Sequence, residues 1–305
     1  MGTKRDFISI DDYSPEKFME IINLACDFKT GKKSYNGIAK DKTLAMVFEK
    51  QSLRTRMTFE VGMTKLGGHA IYLQPADIGL GVREPVKDVA RNISRWCDII
   101  MARVFLNSNI LSLAEYSSIP VINALCDIEH PCQAMADFQT ILEHKGKFKG
   151  LKLAFLGDGN NVANSLMLAA AKTGMDFSIG CPENYEPNRE ITARAIEIAK
   201  MTGSKIEILV DPIAAVSDAD IVYTDVWTSM GQEEENEKRL NVFPPYQLNM
   251  DLLRHAKSDA IVLHCLPAKR GLEITDEVIE SKQSVVFDEA ENRLWTQMAV
   301  IADLI

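Results

Sequence analysis

Hydrophobic residues along this chain alternate between short β-rich runs and longer segments with helical spacing. In the first half, the runs TLAMVF, HAIYL, DIIMARV and VINALCD are each followed by a helical pattern, such as TFEVGMTKLGG or HPCQAMADFQTILEHKG. The second half repeats the alternation with KLAFLGD, DFSIGCP, KIEILV, DIVYTDVW, AIVLHCLP and SVVFDEA, and it closes with the helical stretch ENRLWTQMAVIADLI. Strands that alternate with helices predict an α/β fold with parallel sheets.

The length and one break in the pattern predict two domains. A chain of 305 residues exceeds the usual size of one domain. Helical periodicity ends in the glycine-bracketed basic segment KGKFKG at residues 145–150. We therefore predict two doubly wound parallel-sheet domains facing a cleft, at residues 1–145 and 146–305. Ligands of such sheets bind at the carboxyl ends of strands, so polar residues at those ends are the candidate site residues.

Composition narrows the class of protein. A net charge of −9 argues against a nucleic-acid or anionic-membrane partner, since both require basic residues on the binding face. No apolar run reaches the roughly 18 to 20 residues of a membrane span, and the first residues lack the apolar core of a signal peptide. The six cysteines are scattered without CxxC pairs, which favours reduced thiols. These features predict a cytoplasmic protein.

Basic residues crowd the start of a predicted helix in the segment KQSLRTRMTFE. The spacing of the apolar residues predicts a helix from about Ser52 to Leu66, with Ser52 as its N-cap. Arg54, Thr55 and Arg56 then occupy the first turn, where each cation loses about 0.3 to 1 kcal/mol against the helix dipole. Solvated or glutamate-paired arginines remain one interpretation. The other is a bound phosphate, which free N–H groups, hydroxyls and guanidinium groups would hold together.

Two further strand ends of the first half carry donors. Pro131 suits a first helical position, so His130 is a cap-like residue and Gln133 lies three residues later at the same helix end. Arg103 closes the apolar strand DIIMARV, where either a surface ion pair or a ligand explains it. A structural role for His130 also remains open. Donors and cations without an acid-base carboxylate suit the binding of an anion and the polarisation of a carbonyl.

The second half places amides and a carboxylate at strand ends. The segment GDGNNVANS lacks the third glycine of GxGxxG, so it is a weak dinucleotide signal. Asn160, Asn161 and Asn164 fit either helix capping or a polar ligand. Asp225 and Ser229 fall at the carboxyl end of DIVYTDVW, and a carboxylate there would suit an amino group.

Two later segments have ordinary explanations. The acidic run QEEENEKR predicts a solvated helix face with i, i+4 pairs such as Glu235 with Arg239. In AIVLHCLP, His264 and Cys265 are expected on opposite sides of a strand, so we expect no metal site from them. Cys265 is either a buried thiol or a nucleophile, and no base for it stands out.

Six motifs follow one another along the chain. They are SxRTR (52–56), HPxQ (130–133), DGNN (158–161), DxWxSMG (225–231), HCLP (264–267) and ENR (291–293). Together these residues resemble those of the ornithine carbamoyltransferases, and the resemblance spans nearly the full length. It implies transfer of a carbamoyl group from carbamoyl phosphate to the δ-amine of L-ornithine, which gives L-citrulline and phosphate in arginine metabolism and amino-acid biosynthesis. It further implies no cofactor or metal, a homotrimer or multiple of trimers, and a last helix (about 290–305) that returns to the first domain.

The resemblance also implies roles for residues at matching positions. Carbamoyl phosphate would be bound by Ser52, Leu53, Arg54, Thr55, Arg56, Arg103, His130, Gln133, Cys265, Leu266 and Arg293, and ornithine by Asn161, Asp225, Ser229 and Met230. Arg103 and His130 would reach the carbonyl oxygen, and Asp225 the α-ammonium. The Leu-Pro bond of HCLP would be cis, and SMG would close as a lid. Catalytic roles would fall to Arg54, Arg103, His130, Asp225 and Cys265.

Two positions depart from the family pattern. Leu53 stands where the family usually has Thr, so a hydroxyl is lost while the backbone N–H remains. Gly79 stands where relatives often place a Gln or His that reaches the carbamoyl phosphate of a neighbouring subunit. Our hypothesis is that Arg83 compensates for that missing side chain.

Four alternative functions fit the sequence less well. Putrescine carbamoyltransferases replace SMG with another sequence, and aspartate carbamoyltransferases need basic groups in the second half for a dicarboxylate. A non-catalytic phosphate-binding module would show an eroded HPxQ or HCLP, and both motifs are intact here. A Rossmann dehydrogenase would carry GxGxxG.

Overall fold

The computed structural model describes residues 4–228 and 233–305, and it contains two compact units. The first unit comprises Met1–Gln139 and Glu291–Ile305, and the second comprises Thr140–Ala290. Each unit contains one parallel β-sheet with connecting helices. The predicted fold class of two parallel-sheet α/β domains is therefore confirmed.

The first unit is built on a four-stranded sheet in the order β2-β1-β3-β4. Its strands are Thr43–Phe48 (β1), His69–Leu73 (β2), Ile99–Arg103 (β3) and Val121–Leu125 (β4), and all neighbours are parallel. The chain leaves β1 toward β2 on one side and reaches β3 on the other. This change of direction marks the edge at which α/β sheets bind ligands, beyond the carboxyl ends of β1 and β3.

Six helices connect and cover these strands. Apolar side chains of the fourth and fifth helices, such as Val89 and Leu113, pack on Ala45 and Ile100 of the sheet. The helices are Pro15–Thr30 (α1), Leu53–Lys65 (α2), Pro75–Ile78 (α3), Val86–Ile93 (α4), Asn107–Tyr116 (α5) and Pro131–Lys145 (α6).

The second unit is built on a five-stranded parallel sheet. Its strands are Lys152–Leu156 (β5), Asp176–Gly180 (β6), Ile206–Leu209 (β7), Ile221–Thr224 (β8) and Ile261–Leu263 (β9), in the order β7-β6-β5-β8-β9. All neighbouring strands are parallel. The change of direction falls between β5 and β8, so DGNN and DxW lie at the carboxyl ends where ligands bind.

Among the described residues, seven α-helices follow β5, and the last of them begins earlier than the sequence pattern predicts. The run SVVFDEA was expected to be β-rich, and this expectation was wrong. Ser284 makes an isolated parallel bridge to Val262, and the helix then starts at Val286. Asp288 and Glu289 fall in its first turn, where acidic groups favour a helix. The helices are Asn161–Thr173 (α7), Arg189–Thr202 (α8), Pro212–Val216 (α9), Asn236–Val242 (α10), Met250–Leu253 (α11), Asp276–Ile279 (α12) and Val286–Leu304 (α13).

The C-terminal part of α13 contributes to the first unit. The helices α2 and α13 approach each other closely at Gly62, where a Cβ would lie 3.1 Å from the Cγ of Met298. Glycine thus lets α2 pack tightly on α13. Arg293 of α13 is thereby brought to the first unit.

The six cysteines are free thiols. Over the ranges 4–228 and 233–305, no helix has both the length and the apolar character needed to cross a membrane.

The local backbone conformation explains why position 79 is a glycine. It ends α3 in the left-handed region, with φ of +48°, which favours glycine. A Cβ at this position would also lie 3.0 Å from the Cβ of Arg83. The Arg83 guanidinium donates to the carbonyl oxygen of Asp77 at 3.4 Å. The proposed compensation by Arg83 toward a neighbouring subunit stays a prediction.

Candidate active site

The start of α2 has the predicted capped geometry. Ser52 is extended, with φ of −159° and ψ of 118°, and its Oγ accepts a hydrogen bond from the Thr55 amide at 3.3 Å. The helix runs over Leu53–Lys65, so the predicted helix and its N-cap are confirmed. The Leu53 side chain is 74% exposed. A helix start is a natural anion site, because its first backbone N–H groups have no acceptor in a preceding helical turn.

Two buried guanidinium groups meet at the hydroxyl of Thr55. Arg293 Nη2 lies 3.2 Å from Thr55 Oγ1, and Arg103 Nη1 lies 3.5 Å from the same atom. Arg103 is only 7% exposed, which excludes the surface ion pair that the sequence left open. Two like charges at one hydroxyl repel each other, and a bound anion would offset that repulsion.

His130 belongs to the same cluster and is held neutral. Its side chain is buried immediately before α6. Burial, followed by the positive charges of Arg293, Arg103 and Arg54, holds the pKa of His130 well below its ordinary value. A neutral imidazole keeps one N–H that can donate to a carbonyl oxygen without adding a further positive charge.

This depressed pKa has a consequence for stability. The unfolded chain takes up a proton at His130 below about pH 6.5, whereas the folded chain does not, so stability falls as the pH drops through that range. Between pH 7.5 and 5.5, we expect the parent to lose about 1 kcal/mol more than His130→Asn. Urea unfolding in phosphate-free buffer measures this difference. Equal losses in the two proteins would contradict it.

Arg56 and Gln133 are held by different partners. Arg56 is exposed and lies 3.3 Å from Glu60 Oε2, with its guanidinium 3.9 Å from the Tyr72 ring centre. For Arg56, the glutamate pairing that the sequence left open is therefore present. Gln133 is buried, and its Oε1 accepts from Arg293 Nη1 at 2.5 Å. Gln133 thus joins the Thr55 cluster through Arg293.

In the second unit, three strand ends meet at Asp225. Its Oδ2 accepts from Asn160 Nδ2 at 2.8 Å. Its Oδ1 accepts from the Val226 amide at 2.8 Å and from Cys265 Sγ at 3.0 Å. Asn160 also caps α7, so the capping interpretation of the asparagine cluster holds for this residue, while a ligand role stays a prediction. The carboxylate of Asp225 is buried and held in one orientation by these donors.

The other predicted site residues of this unit have no contact to Asp225 among those described above. Asn161 is half-buried at the first position of α7. Asn164 is buried, and its Oδ1 accepts from the Asn188 amide at 3.1 Å, which is a structural role. Ser229 and Met230 lie outside the described residues.

The HCLP segment forms a turn fixed by a buried histidine. The Leu266–Pro267 peptide bond is cis, as the resemblance implied, and Leu266 has φ of +56°. His264 Nδ1 accepts from the Leu266 amide at 2.9 Å. Its Nε2 therefore carries the proton and donates to Glu273 Oε1 at 3.1 Å.

His264 and Cys265 do not lie on opposite sides of a strand, so that expectation was wrong. The strand β9 ends at Leu263, and the chain turns directly afterwards. Potential ligand atoms of Asp225, His264 and Cys265 lie within 4.8 Å of one another. A metal ion bound there would have to displace one of the two hydrogen bonds of the His264 ring, which are needed to hold the turn.

Comparison with known proteins identifies the family. Residues 5–143 match the model of the aspartate/ornithine carbamoyltransferase carbamoyl-P binding domain, and residues 149–304 match that of the Asp/Orn binding domain. The chain belongs to the aspartate/ornithine carbamoyltransferase family. It is 51% identical to the ornithine carbamoyltransferase of Pyrococcus horikoshii and 52% identical to that of Methanosarcina acetivorans, each over 303 residues. Both alignments cover 99% of this chain, with 96% and 99% of the relatives.

Solved structures agree with this assignment to the aspartate/ornithine carbamoyltransferase family. The ornithine carbamoyltransferase structure from Pyrococcus furiosus has a TM-score of 0.95 to this chain at 50% identity. The match covers 99% of this chain and 97% of the other.

The predicted solvent exposure of Arg239 in this carbamoyltransferase chain was wrong. Arg239 does pair with Glu235 at 3.1 Å, as expected. It does not lie on a solvated face, however, because it is buried and donates to Asp158 Oδ2 at 2.8 Å and to the Trp227 carbonyl at 2.7 Å. Burial raises the pKa of Asp158 to about 6, against the lowering effect of Arg239. Arg239 therefore connects α10 to the DGNN and DxW segments.

Removing Arg239 should destabilise this unit of the carbamoyltransferase. Arg239→Met leaves Asp158 buried without its cation, and loss of one partner of a buried pair costs about 3 to 5 kcal/mol. Urea unfolding at pH 7 measures the change. Lys238→Met is the matched control, because Lys238 is exposed on the same helix and should change stability by less than about 0.5 kcal/mol. Equal effects of the two substitutions would contradict the prediction.

Proposed function

We propose that this chain transfers the carbamoyl group of carbamoyl phosphate to the δ-amine of L-ornithine, which yields L-citrulline and phosphate. One observation carries the proposal: Arg103, Arg293 and His130 gather with Thr55 at the N-terminus of α2. Relatives about half identical over the full length carry the name ornithine carbamoyltransferase.

The phosphate group binds at the first turn of α2. Ser52 and Thr55 offer hydroxyls, and the start of a helix attracts an anion through its dipole and its backbone N–H groups. Arg54 lies in this turn and is close enough to lower the pKa of His130, so its charge acts on the same site. The phosphate neutralises guanidinium groups that otherwise repel one another. Leu53 contributes its backbone N–H, and Arg56 binds phosphate only if it leaves Glu60.

The carbonyl oxygen of carbamoyl phosphate faces Arg103 and His130. Negative charge grows on this oxygen as the amine attacks, so fixed donors there favour the transition state over the ground state. The neutral imidazole of His130 donates one N–H, and the Arg103 guanidinium supplies positive charge. These two residues polarise the carbonyl without a proton transfer of their own.

Ornithine binds in the second unit through Asp225, which holds the α-ammonium, with Asn161, Ser229 and Met230 as further contacts. The δ-amine must be uncharged to attack, although its pKa in solution is close to the roughly 10.4 of lysine. Its lone pair forms the new C–N bond to the carbonyl carbon. The C–O bond to phosphate then breaks, phosphate leaves with that electron pair, and the nitrogen loses a proton. Cys265 and the Leu266 carbonyl contact the carbamoyl group.

The organisation and context of the enzyme belong to the same proposal. Residues 1–145 form the carbamoyl phosphate domain, and residues 146–305 form the ornithine domain, with the last helix returned to the first. The enzyme acts in arginine metabolism in the cytoplasm, without a metal or cofactor. It assembles as a homotrimer or a multiple of trimers.

The test is citrulline formation from carbamoyl phosphate with L-ornithine at about pH 8, beside putrescine and L-aspartate at equal concentration. We expect ornithine to be strongly preferred. Preference for putrescine would leave the phosphate site intact and overturn the assignment of Asp225. No turnover with any of the three amines would favour a non-catalytic phosphate-binding module.

A further inference from the structure

The side chain of Asn160 makes hydrogen bonds in two directions. Its Oδ1 accepts from the amides of Val162 and Ala163 at 3.0 and 3.1 Å, which caps α7. Its Nδ2 donates to Asp225 Oδ2 at 2.8 Å. One amide group therefore connects the start of α7 to the carboxylate that follows the end of β8.

The capping contacts fix which atom of the Asn160 amide faces Asp225. Both backbone N–H groups are donors, so the atom that they contact must be the oxygen of Asn160. The nitrogen then faces the carboxylate, which only accepts hydrogen bonds. Rotation of the amide by half a turn would place N–H against N–H and oxygen against carboxylate. Both sets of contacts therefore favour the same orientation.

The backbone before Asn160 is also held in place. The Gly159 amide donates to the Tyr185 carbonyl oxygen at 2.8 Å, and a Cβ at Gly159 would lie 2.2 Å from the Pro187 nitrogen. Two backbone segments are thus in direct contact, and only glycine allows this approach. The Nδ2 donor of Asn160 is therefore fixed both by its own cap and by the turn that precedes it.

We propose that Asn160 is a positioning residue that orients the Asp225 carboxylate for the α-ammonium of ornithine, in addition to capping α7. This inference rests on the proposed function, in which Asp225 holds that ammonium. A carboxylate that is oriented before binding loses little rotational freedom when the ammonium arrives, so binding is tighter. Asn160 fixes Oδ2 of Asp225, while the Val226 amide and Cys265 Sγ donate to Oδ1.

Helix capping alone is the competing explanation, and Asn160→Asp separates the two. Aspartate is as good an N-cap as asparagine, and its charge suits a helix N-terminus. If Asn160 only caps α7, this substitution leaves the kinetics with ornithine unchanged. If Asn160 orients Asp225, a second carboxylate replaces the donor, and the two like charges push Asp225 out of position.

The first arm of the test measures kcat and KM for ornithine at pH 8 with saturating carbamoyl phosphate. We expect Asn160→Asp to lower kcat/KM at least about 30-fold, and Asn160→Ser, which keeps a cap and lacks Nδ2, to lower it about tenfold. Most of the loss should appear in KM, because the ammonium contact is made in both the ground state and the transition state. A loss of less than about threefold in either folded variant would overturn the inference.

Asn188 provides matched controls in the same unit. Its Oδ1 caps α8 by accepting from the amides of Glu190 and Ile191 at 2.9 and 3.1 Å, the same arrangement as at α7. Asn188→Asp and Asn188→Ser should therefore leave kcat/KM within about twofold of the parent. Losses equal to those of the Asn160 variants would assign the effect to capping and overturn the inference.

The second arm uses the pH, to which a capping role is insensitive. At lower pH, the new carboxyl group of Asn160→Asp and Asp225 share one proton, as adjacent carboxylates do, and the protonated group donates as the amide did. The ratio of kcat/KM for ornithine between Asn160→Asp and the parent should therefore rise at least about threefold from pH 8 to pH 5.5. Protonation of the δ-amine affects both proteins and cancels in the ratio. A ratio that stays constant or falls would overturn the orienting role.

Other titratable or charged side chains around Asp225 are common to all these proteins. Burial raises the pKa of Asp158 to about 6, so this group titrates in the same range. Asn160→Ser retains all of them without the new carboxyl group, so its ratio to the parent should stay within about twofold over the same pH range. An equal rise in Asn160→Ser would assign the pH effect to those groups and overturn the inference. They are Asp158, Glu235, Arg239, His264 and Cys265.

Two further measurements separate failure of this inference from failure of the proposed function. Citrulline formation by the parent tests the function itself, and a parent without turnover of ornithine overturns both. Phosphonoacetamide is an analogue of carbamoyl phosphate with CH2 in place of the bridging oxygen, and its affinity should change less than about threefold in the Asn160 variants. A loss of that affinity as large as the loss of kcat/KM would show general damage and overturn the inference. Thermal unfolding confirms that each variant is folded, and Asn160→Ser decides the outcome if Asn160→Asp does not fold.

Discussion

Arg103→Leu is expected to lower kcat/KM for carbamoyl phosphate by about 100-fold to 1,000-fold, the usual effect of removing one donor that stabilises a developing oxyanion. Arg103 closes β3 and contacts Thr55 Oγ1, so its loss removes positive charge from the centre of the first site. Initial rates at saturating ornithine and varied carbamoyl phosphate measure this change.

Arg91→Leu is the control for the Arg103 substitution. Arg91 is exposed on α4, where it pairs with Asp88 at 3.1 Å. An exposed pair of this kind contributes little, so kcat/KM should remain within about twofold of the parent. A loss of less than tenfold in Arg103→Leu would remove Arg103 from the proposed carbonyl site.

Asp225→Asn is expected to lower kcat/KM for ornithine by about 100-fold or more, because loss of a buried charge partner costs about 2 to 5 kcal/mol. Asn160, Val226 and Cys265 all donate to the Asp225 carboxylate. An asparagine would turn an NH2 group against one of these donors and would lose the charge that is proposed to hold the α-ammonium. Initial rates at saturating carbamoyl phosphate measure the effect.

Binding of phosphonoacetamide distinguishes a specific effect of Asp225→Asn from general damage. That ligand is an analogue of carbamoyl phosphate and has no α-ammonium group for Asp225 to hold, so its affinity should fall far less than kcat/KM for ornithine. Asp251→Asn is the matched control, because the Asp251 side chain is exposed beside Arg254 and lies in the same unit. Parallel losses for ornithine and phosphonoacetamide would show that Asp225 acts through folding.

Most strands could be predicted from sequence because parallel strands in a buried sheet are continuous apolar runs. The run TLAMVF corresponds to Thr43–Phe48, and HAIYL corresponds to His69–Leu73. The prediction of a strand at SVVFDEA failed because valines suit a strand and a buried helix start equally. Only the acidic residues after them favour the helix. The pattern analysis also omitted α1, although Ser14 as N-cap, Pro15 and Gly31 mark its ends.

The candidate site was predictable where its residues belong to local motifs. The N-cap Ser52 and the helix start at Pro131 follow from neighbours in sequence, and the resemblance to the ornithine carbamoyltransferases is confirmed by relatives about half identical over the whole chain. The role of Arg239 was not predictable in this way. A partner such as Asp158, which lies 81 residues from Arg239, leaves no mark in helical spacing.

Contacts between residues far apart in sequence also form late during synthesis of the protein. Arg293 contacts Gln133 from 160 residues further along the chain. At a synthesis rate of about 5 to 20 residues per second, the ribosome adds Arg293 roughly 8 to 32 s after Gln133. The first sheet is therefore synthesised long before its proposed phosphate site can be completed. A nascent chain gains that site only after the entire second sheet has been translated, so unfinished polypeptides should not withdraw carbamoyl phosphate from the cell.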